Sequence, residues 1–87
     1  MNSQNPEKPK DFDKAVNILS SVKHEEFIQN IVSNLNHDMC YLHNHHLSIG
    51  IETERILFKE GINWNEATRR YYVFRVLRVA LERIKAK

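Results

Sequence analysis

The chain has few residues that break or cross-link secondary structure. Its 87 residues include one cysteine, two glycines and two prolines. A single cysteine cannot form an intramolecular disulfide, and small secreted domains usually carry several, so we expect a reducing, cytoplasmic setting. The scarcity of glycine and proline favours helices over irregular structure.

Long hydrophobic runs are also missing. No apolar run approaches the ~20 residues that span a bilayer, and the first residues contain no apolar core of signal-peptide length. We therefore expect neither membrane insertion nor secretion. A chain of this length forms one domain at most, and its stability requires efficient packing or pairing with another copy.

The beginning of the chain is polar and then becomes helical in pattern. Residues 1–10 contain both prolines and nothing to bury, which predicts a disordered tail before a single helical domain over 11–87. A first helix is predicted over about 12–20, capped by Asp11 or Asp13. Its apolar positions fall at helical spacing: Phe12, Ala15, Val16, Leu19 and Val22.

On a helical wheel the apolar stripe of the following segment points in a different direction from that of the first helix. This change of direction predicts a break at Ser20 and Ser21. Either serine can cap the second helix, and Glu25 and Glu26 suit the positive end of its dipole.

A ladder of mostly apolar positions then steps by four and three residues from position 28 to position 56. This spacing is typical of a helix packed lengthwise along a partner helix, and we interpret it as one long helix over about 22–60. Weak helix formers at 36–38 and 43–46, and Gly50, favour the alternative of a break near 36–50. The predicted seam, covered by the chain itself or by another copy, is Ile28, Val32, Leu35, Met39, Leu42, His46, Ile49 and Ile56.

The segment FKEGINWNEA predicts a tight turn between two helices. Gly61 suits the left-handed residue that ends a helix, and Asn63 with Glu66 forms an N-x-x-E capping pattern. The predicted fold is therefore all-α. It is a bundle of three helices, about 12–20, 22–60 and 63–85, or of four if the central helix breaks. Its last two helices form an antiparallel hairpin around Gly61–Asn63.

Positive charge is concentrated in the last helix. From Arg69 to Lys87 there are seven basic residues and one acid, a net charge of +6, whereas the whole chain carries +2. On a helical wheel one face is apolar and the opposite face is basic. The apolar stripe comprises Val73, Phe74, Val76, Leu77, Ala80, Leu81 and Ile84, and its width also favours self-association. The predicted partner-binding face comprises Tyr71, Arg75, Arg78 and Lys85.

The same helix supports a second interpretation, in which it binds DNA or RNA. The residues that would contact phosphates are Arg69, Arg70, Arg75, Arg78 and Arg83. The two interpretations differ in what surrounds the basic face. Arg75 and Arg78 free in solvent beside a continuous positive field would favour nucleic acid. Ion pairs with the acidic residues of neighbouring helices, namely Glu25, Glu26, Glu52 or Glu54, would favour a plain bundle.

The stretch YLHNHHLSIG holds three of the five histidines. His37, Cys40 and His43 are spaced three apart, and on a continuous helix one metal ion could reach two or three of them. No second cluster completes a recognised metal-binding spacing. We therefore interpret these residues as part of the seam and the solvated surface, and predict no metal and no cofactor.

Catalytic patterns are absent from the sequence. It has no glycine-rich phosphate loop, no isolated carboxylate pair in an apolar setting, and no acid placed to orient a histidine beside Cys40. We predict a small, non-enzymatic regulatory or adaptor protein that binds another protein through helical surfaces. A homo-oligomer is also compatible with the seam, and a nucleic-acid-binding regulator is the alternative.

Overall fold

The computed structural model describes residues 6–86, and over that range it contains helices and no strands. Five α-helices and one 3₁₀ turn follow one another: α1 Phe12–Leu19, the 3₁₀ turn Val22–His24, α2 Glu25–His37, α3 Tyr41–Asn44, α4 His46–Lys59 and α5 Glu66–Lys85. The all-α prediction is confirmed. Within this range, no helix combines the length and the apolar character needed to cross a bilayer.

The last helix, α5, lies at the centre and packs against α1, α2 and α4. Its side chains Val76, Leu77 and Ala80 have no exposed surface, and most of the predicted apolar stripe is buried around them. Helix α1 buries Ala15 and Val16 in the same core. Each of these two helices thus places an alanine on its buried face, and small side chains allow two helix axes to approach closely.

Asp11 precedes α1 but does not cap it with its side chain. Its Oδ1 atom accepts a hydrogen bond of 2.7 Å from the indole Nε1 of Trp64 instead. The prediction of an aspartate side-chain cap at Asp11 is therefore wrong. The bond joins residues 53 positions apart and fixes the start of α1 beside the segment that leads into α5.

The chain turns after α1, as predicted, but the serines act on the helix before the turn. Ser20 Oγ donates to the carbonyl of Val16 and Ser21 Oγ donates to that of Ile18, both at 2.7 Å. Neither caps the second helix, so that prediction is wrong. Val22 is 85% exposed and leaves the apolar stripe, because the helix ends at Leu19. Glu25 and Glu26 do occupy the first turn of α2.

The long central helix is interrupted twice, so the continuous helix over 22–60 is wrong and the alternative of a break near 36–50 is right. Asp38 adopts an extended conformation at the end of α2, and its carboxylate accepts from the backbone N–H of Cys40 at 2.9 Å. Such local aspartate bonds compete with the helix and stabilise turns. A second interruption falls at His45. Gly50 lies inside α4, so it does not cause either break.

The predicted seam does not form one buried line. Ile28, Ile49 and Ile56 are buried, and Val32, Leu35 and Leu42 are half-buried. Met39 is 92% exposed and His46 is also exposed, so their assignment to the core is wrong. Both lie at the interruptions, where the helical phase is lost. The contact of this seam with another copy stays a prediction.

The turn around Gly61 forms as its sequence indicates. Gly61 has a φ of 97°, and the N–H of Ile62 donates to the carbonyl of Leu57 at 2.9 Å, which closes the end of α4. The start of α5 is shifted from its predicted position. Asn65, not Asn63, is the N-cap, and its side chain accepts from the N–H of Thr68. Trp64 is buried instead of beginning the helix.

We expect Gly61→Ala to lower the free energy of unfolding by about 1–2 kcal/mol, because an L-residue resists the left-handed conformation. Urea denaturation measures this change. Gly50→Ala is the control, since its new Cβ would lie 3.2 Å from the half-buried ring of Phe74, which can shift. Alanine also has a better helix propensity than glycine, which stabilises α4 by about 1 kcal/mol and offsets the cost of the close contact with Phe74. A larger loss for Gly50→Ala than for Gly61→Ala would contradict this account.

A small charge cluster joins the 3₁₀ turn to the end of α4. The carboxylate of Glu60 receives Lys23 Nζ at 2.7 Å and His24 Nε2 at 3.0 Å. The hydrogen bond from Lys23, followed by that from His24, holds the pKa of Glu60 below its ordinary value. The stability that this carboxylate contributes is therefore fully present above its unfolded pKa. It is lost as the pH falls through the lowered folded pKa.

We expect Glu60→Gln to lower the free energy of unfolding near neutral pH and to flatten its decline below about pH 4.3, the ordinary glutamate pKa. Urea titrations at a neutral and an acidic pH compare the two proteins. Glu66→Gln removes an exposed ion pair with Arg70 and serves as the control with a smaller effect. If the free energy of unfolding changed with pH in the same way in Glu60→Gln and in the parent protein, the Glu60 cluster would not contribute to the pH dependence of stability.

Candidate binding surface

The predicted partner-binding face lies on the solvent side of α5. Arg75, Arg78 and Lys85 are exposed and Tyr71 is half-buried, opposite the buried Val76 and Ala80. At 100° per residue the four side chains fall within an arc of about 80°. Lys85 lies about 10 Å along the axis from Arg78, because each residue advances a helix by 1.5 Å. Arg75 lies four residues from Tyr71 and three from Arg78, whereas Lys85 is seven residues from the nearest of the three, so Arg75 joins Tyr71 and Arg78 into a group that leaves Lys85 apart.

Arg75 is held against its neighbour one turn earlier. Its Nη2 atom donates to the hydroxyl oxygen of Tyr71 at 2.9 Å, and its guanidinium carbon lies 4.5 Å from the centre of the Tyr71 ring. The rings of Tyr71 and Tyr72 in turn meet edge to face, with 4.9 Å between their centroids. Stacking on an aromatic ring restricts the guanidinium without neutralising its charge.

A shallow depression of about 370 Å³ opens beside this arginine, between α1 and α5. We call it the α1–α5 depression. The residues that line it are Lys8, Phe12, Tyr72, Arg75, Arg78 and Val79. Its floor is apolar and its rim carries three cations, with no carboxylate among the lining residues. Val79 is the most exposed apolar residue of the floor, at 39%.

Lys8 reaches the depression because the segment before α1 is tied to α5. The hydroxyl of Tyr72 donates to the carbonyl of Pro6 at 2.8 Å, and the N–H of Phe12 donates to the carbonyl of Pro9 at 3.1 Å. Lys8 Nζ then lies 4.7 Å from the centre of the Phe12 ring. The predicted disordered tail thus divides: residues 1–5 lie outside the described residues, while residues 6–10 contribute to a surface.

The five arginines of the nucleic-acid interpretation do not share one surface. Arg69 donates to the carbonyl of Trp64 at 2.9 Å and lies 3.8 Å from Glu54. Arg70 pairs with Glu66 at 2.7 Å, and Arg83 donates to the side chain of Asn17 at 2.6 Å. Arg75, Arg78 and Arg83 have no carboxylate within 4 Å in the described range 6–86. Of the five arginines, only Arg75 and Arg78 line the α1–α5 depression.

The histidine-rich stretch does not assemble a metal site. Among residues 6–86 no three histidine, cysteine, aspartate or glutamate side chains converge in a way that could hold a metal ion. His37 Nδ1 lies 3.0 Å from the carbonyl of Ser33, and His46 Nδ1 lies 2.9 Å from that of His43. Cys40 is exposed in the turn between α2 and α3. The interruptions of the central helix separate residues that a continuous helix would align.

Sequence reasoning missed Lys8, Phe12, Tyr72 and Val79 as surface-forming residues. Phe12 has the signature of a core residue, and it is in fact largely buried. Lys8 belongs to a segment without periodicity, and its position depends on Tyr72 of α5. The clustering of basic residues within α5 was the available signal, and it located two of the six lining residues, Arg75 and Arg78.

Comparisons with known proteins add no assignment to this geometry. The chain matches no protein-family model, and no curated protein and no solved structure is similar to it at a significant level.

We expect Tyr72→Phe to lower the free energy of unfolding by about 0.5–1.5 kcal/mol, the typical net contribution of a hydrogen bond, because the Pro6 carbonyl loses its donor. Thermal or urea denaturation measures the loss, and hydrogen exchange of residues 6–12 should become faster. Tyr71→Phe is the matched control, since its hydroxyl only accepts from the exposed Arg75. An equal loss in both variants would contradict a specific tie to Pro6.

Proposed function

We propose that this chain is a small, non-enzymatic regulatory or adaptor protein that binds an acidic segment of another protein in the α1–α5 depression. One observation carries the proposal: Arg75 and Arg78 are exposed without carboxylate partners in the described range, at the rim of a depression with an apolar floor. Guanidinium groups bind carboxylates through paired hydrogen bonds. The floor offers contact to an apolar side chain between the carboxylates.

The mixed character of the depression favours a peptide that is both acidic and apolar. Phe12 and Tyr72 are each 9% exposed and Val79 is 39% exposed, so the floor presents a small hydrocarbon patch beside the cations. Burial of a partner's apolar side chain against this patch contributes about 25 cal/mol for each Å² removed from water. The three cations then select acidic neighbours and fix the direction of the segment.

The distribution of charge favours a protein partner over a nucleic acid. Binding along a phosphate backbone benefits from many cations in one track. Here Arg69, Arg70 and Arg83 are held by other groups of the chain. The acidic Glu82 lies on the exposed face between Arg78 and Lys85 along the helix. The positive region is therefore short and local.

Nucleic acid is the second candidate because Arg75 and Arg78 meet part of the condition set for it: both are free of carboxylates. With Lys8 they could neutralise three phosphates of a single strand. In that case the logarithm of the binding constant would fall with the logarithm of the salt concentration with a slope of about −2, since each contact contributes about −0.7.

A cytoplasmic setting belongs to the same proposal. It rests on the single cysteine, which is exposed and free at Cys40. A free exposed thiol is compatible with a reducing compartment.

Fluorescence anisotropy with a short peptide, in which aspartates and glutamates flank one leucine, tests the proposal. We expect the parent protein to bind this peptide, and Arg75→Ala and Arg78→Ala each to weaken it by up to about fivefold, as for exposed ion pairs. Val79→Asp should weaken it further, because it places a carboxylate in the floor. Arg70→Ala is the matched control, an exposed arginine of the same helix that already pairs with Glu66.

A single-stranded oligothymidylate of equal net charge is measured beside the peptide. Preferential binding of the oligonucleotide, with a salt slope that becomes shallower in Arg75→Ala and Arg78→Ala, would replace the protein partner with the second candidate. Peptide binding that Arg70→Ala weakens as much as Arg75→Ala would show an unspecific charge effect and overturn the assignment to the depression.

A further inference from the structure

The connection between α2 and α3 is a single β-turn over residues 38–41. The N–H of Tyr41 donates to the carbonyl of Asp38 at 3.0 Å, and Cys40 has a φ of −95° and a ψ of 10°, as at the third position of a type I turn. Asp38 is extended, with a φ of −146° and a ψ of 102°, and the helical path is lost there. We call the residues between α2 and α3, 38–40, the hinge.

The second interruption, at His45, is much slighter. The N–H of His45 donates to the carbonyl of Tyr41, and the carbonyl of His45 accepts from the N–H of Ile49, both at 3.0 Å. These are the bonds of a continuous α-helix. The chain therefore keeps a nearly helical path from α3 into α4, and the hinge alone separates that path from α2. A rotation mainly at Asp38 would let α2 run on into α3.

The hinge divides the chain into two halves that meet through the core. The N-terminal half contains α1 and α2, and the C-terminal half contains α3, α4 and α5. Helices α1 and α2 both pack on α5. Four pairs of residues also form hydrogen bonds between the halves: Asp11 with Trp64, Pro6 with Tyr72, Asn17 with Arg83 and His24 with Glu60. A hinge that opened within one molecule would carry α1 and α2 away from α5 and lose these contacts.

We propose that the hinge opens in pairs of chains, so that two copies exchange their N-terminal halves and form a domain-swapped dimer. Each lobe of this dimer contains α1 and α2 of one copy and α3, α4 and α5 of the other. The monomer itself shows what covers each exposed core surface. Every contact between the halves forms again with the identical half of the second copy, so the exchange costs no core packing.

The two hinges of the dimer lie side by side. In each lobe the end of one copy's α2 stays beside the start of the other copy's α3, as in the monomer. Both hinges therefore connect the same two places, in opposite directions. Met39, which is 92% exposed in the monomer, is thereby brought close to Met39 of the partner subunit. Contact between these two side chains removes apolar surface from water and favours the dimer.

Asp38 favours the closed hinge and thus the monomer. Its carboxylate accepts from the N–H of Cys40 at 2.9 Å, a local bond that competes with the helix. Aspartate is also a weak helix former, so its side chain opposes a continuous path from α2 to α3. We therefore expect monomers at low concentration. Dimers should form and dissociate slowly, because the two halves must separate before they can be exchanged.

Sedimentation velocity after incubation at high concentration tests the dimer. We expect the parent protein to show a species of 10.4 kDa and a second of about twice that mass, which persists after dilution. Asp38→Ala should raise the dimerisation constant by about tenfold or more, because both copies lose the bond that closes the turn. Asn36→Ala is the matched control, since Asn36 is an exposed residue of α2 and its replacement raises helix propensity without altering the turn.

Met39→Pro should abolish the dimer. Proline suits the second position of a type I turn, and the residue before a proline prefers the extended conformation that Asp38 already has. In a continuous helix, a proline at this position would clash with the carbonyl of Leu35. Circular dichroism verifies that this variant and Asp38→Ala are folded.

A mixing experiment tests the exchange of halves directly. Val16 of α1 and Val76 of α5 have no exposed surface, so Val16→Asp and Val76→Asp should each unfold the chain. Both are made in the Asp38→Ala background. In a swapped pair of the two variants, one lobe contains both aspartates and the other contains neither. The mixture should therefore have more helix by circular dichroism than the mean of the two separate solutions.

A mass of one chain at every concentration, in the parent protein and in Asp38→Ala, overturns the proposal. A dimer that Met39→Pro leaves unchanged overturns it as well, since the copies then associate without opening the hinge. A mixture with no more helix than the mean of its components shows that the halves are not exchanged. None of these results depends on the acidic peptide, because each lobe of the dimer retains a complete α1–α5 depression.

Discussion

Burial of α5 is the constraint on which the other elements depend. Three helices pack on it, and its central residues Val76, Leu77 and Ala80 are completely inaccessible. The helices around it have 8, 13 and 14 residues and would be at most marginally stable alone, because isolated helices of fewer than about 12–15 residues are marginal in water. The helix buried on one side therefore presents its remaining face, with Arg75 and Arg78, as a fixed surface.

Much of this architecture could be predicted from the sequence because it depends on local patterns. The helical class, the apolar stripes of α1 and α5 and the turn at Gly61 each follow from the spacing of a few neighbouring residues. The ladder alone predicts a continuous central helix over 22–60, and the weak helix formers indicate only a break somewhere near 36–50. The exact positions, at Asp38 and His45, depend on local bonds such as that from the Cys40 N–H to the Asp38 carboxylate, which the spacing of apolar residues does not indicate.

The candidate site was predictable to the extent that it lies on one helix. Tyr71, Arg75 and Arg78 share a face of α5 for reasons of helical geometry alone. Lys8 and Phe12 join them through contacts between residues more than sixty positions apart, of which the bond from Tyr72 to Pro6 is the clearest. Likewise, Arg69 donates to the carbonyl of Trp64 and Arg83 donates to the side chain of Asn17, and no pattern within α5 indicates these hydrogen bonds.

The tie between Pro6 and Tyr72 has a consequence for when the surface exists. During synthesis the segment with Lys8 emerges from the ribosome long before α5, so its cation has no depression to border until the last helix has formed and packed. An incomplete or unfolded chain carries the same charges without the α1–α5 depression. The partner binding proposed above would therefore depend on the packing of α5, and it would be restricted to chains in which this helix has folded.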